Sequence, residues 1–416
     1  MAQRAGGSPH PPAATGTYPL AGSRLTQIDP AEYAIRREAV AAGMDAAGLD
    51  ALCIFYPARV AYLTGFHHIP TERPIALVIG PNAYSALIVP AVEKEHAESS
   101  TSLDRIEVYF EYPGAEHPME RIKTILAEIS ARPRRTGADH DGYLPYWGYR
   151  GPRLSDLIGH ELFDAELIIE SLRRVKSTAE IACIQLSCDW AVRAHLRMQG
   201  AIKPGLTEIE CYSPGVTETL GEMLREMPGW RPRGADGTGL TSMFVAGRST
   251  AMPHGFVQGH GIQRGDVLVS GAGADIDGYH SELERTMIVG EPSRKQARAF
   301  EAMLALQTRA IELMAPGVTA AEVELATVRL AQELGVSESL RHHVGHSIGL
   351  EGHEAPFLDR GEDAVLEEGM VFTVEPGVYL NELGGFRHSD TVVITSDGNR
   401  VMTDYPRDLK DLVITP

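Results

Sequence analysis

The sequence predicts an α/β (α+β) chain of two parts, a smaller N-terminal α/β domain and a larger C-terminal domain built by internal duplication. Three observations carry this. Helical and strand-like segments alternate up to about residue 171. A capping box, Ser177-x-x-Glu180, then opens a long helix and a change of pattern. Beyond it two phrases recur. Pro204-Gly205-Leu206-Thr207 with Glu210 returns as Pro316-Gly317-Val318-Thr319 with Glu322, and GDVLV (265–269) returns as GMVFT (369–373). The offsets are 112 and 104 residues, which puts Gly271 and Glu375 at equivalent places in the two halves.

The elements follow in order. The first 25 residues are rich in Gly, Pro, Ala and Ser and lack a hydrophobic signal core. They read as a disordered or loosely attached arm, not an export signal. Asp29 and Pro30 suit an N-cap and a first helical position, with Gly48 ending the helix. Residues 51–56 read as a buried strand, and 76–79 and 86–89 as further short strands. The domain boundary falls near 172–176, giving an arm (1–25), an N-terminal domain (26–171) and a C-terminal domain (172–416). Thr207 and Thr319 each begin a helix by the same capping logic as Ser177.

Composition narrows the function. Hydrophobic residues make up 43% and charged residues 23% of 416, an ordinary globular profile. A net charge of −18 argues against nucleic acid or an anionic membrane as partner. No apolar run is long enough for a transmembrane helix, so a cytoplasmic protein acting on a small molecule is expected. Cys53, Cys183, Cys188 and Cys211 show no paired spacing and read as reduced structural thiols.

Residues that could do chemistry gather in GYHSELERT (278–286), HHVGHSIGLEGHE (342–354), VEPGVY (374–379) and GGFRHSD (384–390). His254, His346 and His353 titrate near neutrality. Glu282, Glu284 and Glu375, if they converge, demand a balancing cation: a metal ion, or a guanidinium, amidine or amine substrate. A Glu pairs with a guanidinium through two parallel hydrogen bonds, and a His could then activate water. Arg387 is a candidate for a substrate carboxylate. His342 and His343 are candidates for the cleft lining, and Tyr279 and Phe244 read as core or cleft wall.

In their order, these motifs resemble the active site of the pita-bread metallopeptidases: methionine aminopeptidase, aminopeptidase P and prolidase. GLDALCIFYPARVAYLTGF (48–66) is similar to the smaller domain of creatinase, aminopeptidase P and prolidase. The resemblance covers nearly the whole chain apart from the arm. It implies two metal ions held by two Asp, one His and two Glu. Counting back from Arg285-Thr286 puts the second ligand at Glu282 and the first at Gly271; the His is His346, the first Glu is Glu375, and Ser389 fills the place of the last Glu. Glu282, His346 and Glu375 could still hold one ion. Asp275 and Asp277 lie close by in sequence, in what reads as a solvated turn.

Creatinase, a metal-free hydrolase of this fold, offers a second pattern. Its Leu-Glu-Arg-Thr is matched by 283–286, and the resemblance implies Glu284 as the ligand of a substrate guanidinium. It likewise implies His254 as general acid/base and Glu375 as a substrate-side carboxylate. Ser389 stands where creatinase has a His, with His388 one residue away, and Glu282 where it has a small residue. The leading expectation is therefore a metal-independent, creatinase-like hydrolase of a C–N bond. It would use His254, His346 and Glu375 for catalysis, bind substrate through Glu284, His353, Glu282 and Arg387, and carry no cofactor. An Xaa-Pro aminopeptidase or dipeptidase with one Mn, Fe or Zn ion is the alternative, and an inactive binding protein a further one. A homodimer is expected by resemblance.

Overall fold

The computed structural model describes residues 27–129, 135–233 and 239–415; the arm expected over 1–25 lies outside them. Asp29 accepts a hydrogen bond from the Ala31 amide and Pro30 opens α1 (Pro30–Ala47), which Gly48 ends at φ 68. There follow β1 (Ala51–Ile54), α2 (Pro57–Thr64), β2 (Ala76–Ile79), β3 (Ser85–Pro90), α3 (Lys94–Ser100), β4 (Arg105–Tyr109), α4 (Met119–Ile129), β5 (Thr136–Ala138), α5 (Leu154–Ile158), β6 (Phe163–Asp164) and α6 (Glu166–Arg174). The six strands form one sheet in the order β4-β3-β2-β1-β5-β6. Strand β2 runs antiparallel to both β1 and β3, and the outer pairings are parallel. The apolar runs of these strands are unbroken because both faces are covered. Leu52, Ile54, Leu77 and Ile79 pack toward α1 and α2, while Ala51, Cys53, Ala76 and Val78 pack toward α4.

The C-terminal part continues through α7 (Thr178–Ala201), α8 (Glu208–Glu226), β7 (Leu240–Ala246), β8 (Val267–Ala274), β9 (Leu283–Val289), α9 (Arg294–Leu313), α10 (Ala320–Glu333), β10 (Gly345–Ser347), β11 (Glu354–Leu358), β12 (Val371–Val374), β13 (Gly377–Leu380), β14 (Gly384–Arg387), β15 (Asp390–Thr395), β16 (Gly398–Val401) and β17 (Val413–Ile414). One sheet is ordered β17-β9-β8-β7, another β11-β10-β12-β15-β16, with β13 and β14 as a hairpin. The sheets meet where the amide of Glu284 donates to Ser389 O and that of Ser389 to Glu284 O, both at 3.0 Å. The three expected capping boxes close, at Ser177, Thr207 and Thr319, and a fourth forms at Ser293 with Gln296. The four cysteines are buried and form no disulfide, and among the described residues no helix is long and apolar enough to cross a membrane.

The duplication extends to individual hydrogen bonds. The Gly205 amide donates to Ile262 O and the Ile262 amide to Leu206 O; the Gly317 amide donates to Leu366 O and the Leu366 amide to Val318 O. These pairs are related by the same offsets, 112 and 104, as the sequence echoes. The glycines share a left-handed conformation: φ is 92 and 90 at Gly205 and Gly317, 89 and 91 at Gly265 and Gly369. Strands β8 and β12 therefore hold equivalent places, and with them Gly271 and Glu375.

A buried charge cluster ties α6 to the strand that carries His346. Glu354 accepts from Arg173 Nη2 at 2.7 Å and from Lys176 Nζ at 3.0 Å, and Lys176 Nζ also donates to Ser347 Oγ at 2.9 Å. Burial alone would raise the Glu354 carboxyl; Lys176 and Arg173 outweigh it and hold it at about 2, below the ordinary 4.5. A depressed carboxylate stabilises the fold above its unfolded value, so this contribution is present above pH 4.5 and is lost as pH falls toward 2. Glu354→Gln is expected to cost about 3 kcal/mol in urea denaturation at neutral pH, with the gap to the wild type closing in acid. A loss under about 1 kcal/mol would class the cluster with solvated ion pairs.

Candidate metal centre

Glu282 immediately precedes β9, His346 lies within β10 and Glu375 immediately follows β12. Backbone contacts fix all three. The Glu282 amide donates to Thr391 Oγ1 and Thr391 Oγ1 donates to Glu282 O, each at 2.9 Å. The Glu375 amide donates to Val344 O at 2.7 Å. His346 Nδ1 donates to Ser347 O at 3.0 Å, so that in the neutral ring Nε2 carries the lone pair. Each residue offers one ligand atom, and these atoms lie within 4.8 Å of one another.

Several polar atoms here are buried without a partner in hydrogen-bond geometry: Glu282 Oε1, His346 Nε2 and Ser389 Oγ. His346 Nε2 comes within 3.1 Å of Glu375 Oε1, but the two are not aligned as donor and acceptor. Lone pairs that crowd one another without bonding are what an ion's ligands present before the ion is counted. Burial, then Glu375 and Glu284, push the Glu282 carboxyl up to about 8. At Glu375 burial works upward, yet His346 and Arg387 hold the carboxyl at about 2. At His346 burial works downward, and Glu375 and Glu282 still raise the imidazole. A site that must redistribute protons to endure three carboxylates is short of positive charge. The donor set of two carboxylates and one imidazole fits one divalent ion.

It does not fit a second. Gly271 has no side chain, and Glu284 stands directly across the β8–β9 ladder from it. Glu284 is engaged: Arg387 Nε donates to its Oε2 at 2.5 Å and Nη2 to its Oε1 at 2.7 Å. Arg387 Nη1 donates to Pro253 O and to Tyr379 Oη, Nη2 also reaches Met243 Sδ, and Nε lies 3.7 Å from Glu375 Oε2. Tyr379 in turn donates to His342 Nε2, since His342 Nδ1 donates to His343 O.

The remaining expected residues divide. His353 stacks on His346 with ring centroids 3.7 Å apart, and burial and His346 lower its pKa. His254 is exposed, in the turn that follows residue 251. Tyr279 and Phe244 belong to the core. Asp275 and Asp277 do not lie in a solvated turn: both are buried, Asp275 accepting the Arg233 and Gly278 amides and Asp277 pairing with Arg233 Nε at 2.7 Å. His388 is fully buried against Phe300. A cavity of about 310 Å³ opens beside the ligands, lined by Gly271, Ala272, Gly273, His280, Glu282 and Glu284 among others. The 67–73 loop does not wall it. His67 and His68 line a separate cavity of about 210 Å³ with Tyr56, Tyr146, Arg233 and Glu351. Tyr379 and Met243 were not expected as Arg387 partners, nor His342 as the partner of Tyr379; the Tyr of VEPGVY, four residues after Glu375, was the one signal that pointed there.

Comparison with known proteins agrees with this geometry. Residues 182–396 match the description "Metallopeptidase family M24", and 36–175 match "Creatinase/Prolidase N-terminal domain". An Xaa-Pro dipeptidase of Pyrococcus horikoshii is 32% identical over 368 residues, 88% of this chain and 96% of that protein. An Xaa-Pro dipeptidase from Bacillus anthracis superposes with a TM-score of 0.78 at 27% identity, covering 93% of this chain and 100% of that one. Dipeptidase PepE from Mycobacterium ulcerans gives 0.80 at 27%, covering 94% and 100%.

These findings correct two expectations. The metal-independent, creatinase-like reading fails, because the relatives are Xaa-Pro dipeptidases of a metallopeptidase family. Its physical premise fails as well: the carboxylate assigned to a substrate guanidinium, Glu284, already holds the guanidinium of Arg387. For the same reason Arg387 has no donor left for a substrate carboxylate. The expectation of no cofactor fails with it, since Glu282, His346 and Glu375 converge as a ligand group in a metallopeptidase family.

Proposed function

The chain belongs to metallopeptidase family M24, and from that premise we propose that it is an Xaa-Pro dipeptidase working with a divalent metal ion at Glu282, His346 and Glu375. The observation that carries the reading is the convergence of these three ligand atoms within 4.8 Å, two of them buried without partners. Residues 172–416 form the catalytic domain in this reading, and 26–171 the N-terminal one. Pairing of two copies belongs to it by resemblance, with light scattering as its measure.

A divalent ion supplies Lewis acidity, which polarises a carbonyl and acidifies water. The chain's own residues do the rest. His346 is held in one tautomer by Ser347 O, so its Nε2 is fixed toward the cleft. His353, kept neutral by burial and by His346, is placed to take a proton and return it to the departing imide nitrogen of proline. His254 is a second candidate for that transfer from its exposed turn. The 310 Å³ cavity has room for a dipeptide and excludes part of the surrounding water.

The test is metal removal and return. Chelated protein is expected to lose hydrolysis of Xaa-Pro dipeptides and to recover it on Mn(II) addition. Metal-loaded protein that turns over no Xaa-Pro dipeptide sinks the proposal.

A further inference from the structure

We infer that Glu284 and Arg387 together stand in place of a second metal ion, so that each chain binds one divalent cation and not two. The inference rests on the metal-dependent reading above and concerns what the rest of the centre has become.

Position decides the first half of it. Gly271 and Glu284 face each other across the β8–β9 ladder. A Cβ built on Gly271 would come within 2.8 Å of Glu284 Cγ and 3.5 Å of Glu284 Oε1. The Glu284 side chain thus fills the space that a side chain at 271 would need. The carboxylate missing from β8 has a counterpart one strand over, and the two cannot coexist without one moving. Strand β9 carries Glu284 on the same face as Glu282, two residues away.

Charge decides the second half. Glu282, Glu284 and Glu375 bring three negative charges when ionised. Arg387 returns one positive charge, lodged 2.5 and 2.7 Å from the two Glu284 oxygens and 3.7 Å from Glu375 Oε2. One divalent ion then makes the cluster neutral, and a second would leave it at plus two in a buried site. Arg387 cannot step aside cheaply. It is 6% exposed, and its donors are taken by Glu284, Pro253 O, Tyr379 Oη and Met243 Sδ. Ser389, the remaining position, offers a neutral hydroxyl with no charge to hold an ion.

The experiment counts ions directly. The purified full chain is stripped, titrated with Mn(II) alone, and read by calorimetry, by elemental analysis after gel filtration, and by electron paramagnetic resonance. The expected result is one Mn(II) per chain with the signal of an isolated ion. Two Mn(II) per chain with an exchange-coupled signal overturn this inference and leave the dipeptidase reading intact. No Mn(II) bound overturns both. The exchange is also expected to reverse: Gly271→Asp/Glu284→Thr/Ser389→Glu should bind two. If that variant does not fold by circular dichroism, Gly271→Asp/Glu284→Thr tests the swap alone, with a weaker second binding event expected. A folded variant that still binds one ion overturns the assignment of Glu284 to the missing carboxylate.

Discussion

Replacing Glu282 by Gln, or His346 by Ala, is expected to abolish stoichiometric Mn(II) binding and to lower kcat/KM on Xaa-Pro dipeptides by roughly a thousandfold, about 4 kcal/mol of transition-state stabilisation. The magnitude follows from how few ligands there are. With three protein donors in the centre, losing one leaves two, and two donors do not fix a labile divalent ion. Glu282→Gln is the sharper of the pair. It keeps shape and the amide contact with Thr391, and removes only the ionisable carboxyl, which burial, then Glu375 and Glu284, push up to about 8. The variant should fold and melt about as well as the wild type, since Gln matches the uncharged form that the buried carboxyl favours at neutral pH. Calorimetry separates this from a structural effect. Unchanged Mn(II) affinity in either variant would remove these residues from the ligand set.

Arg285→Met is expected to destabilise the fold by about 3–5 kcal/mol, the largest structural effect of any single substitution considered. Arg285 and Asp390 are both 0% exposed and meet at 2.7 Å. The guanidinium also donates to the carbonyls of Glu284, Ser389, Tyr405 and Pro406. Removing it strands a buried carboxylate that retains, among the described residues, Thr403 and Gln307 as side-chain donors, with Arg407 3.6 Å away. It also takes a donor from four carbonyls, of which those of Glu284 and Ser389, at the joint between the sheets, keep their backbone partners. Arg285→Lys should recover part of the loss by keeping the charge without the fork. Urea denaturation measures both; a cost below about 1 kcal/mol for Arg285→Met would show that the pair is compensated elsewhere.

Much of the fold was readable because local chemistry and global structure agree. Asp29-Pro30, Ser177 with Glu180, and the two Thr-x-x-Glu repeats each state a helix start within four residues. The phrases repeating at 112 and 104 residues correspond to matching hydrogen bonds. Glu282, His346 and Glu375 were readable for the same reason, since each sits beside its own short motif. The roles of Glu284 and Arg387 were not. They are 103 residues apart, and what each one does depends on the other. Read singly, an acidic residue and a guanidinium both look available to substrate; only the meeting of β9 with β14 shows that they answer each other. Asp275 and Asp277 misled for a related reason, because a turn short in sequence proved buried against Arg233.

The glycine at 271 has a second effect, on shape. With Ala272 and Gly273 it lines the cavity that abuts Glu282. Because β8 carries no side chain at this point, the Glu284 side chain stands against it and forms that stretch of the cavity wall. In the dipeptidase reading proposed above, the fit of the residue before proline would then depend on Glu284, held in place by Arg387, as much as on the metal ligands.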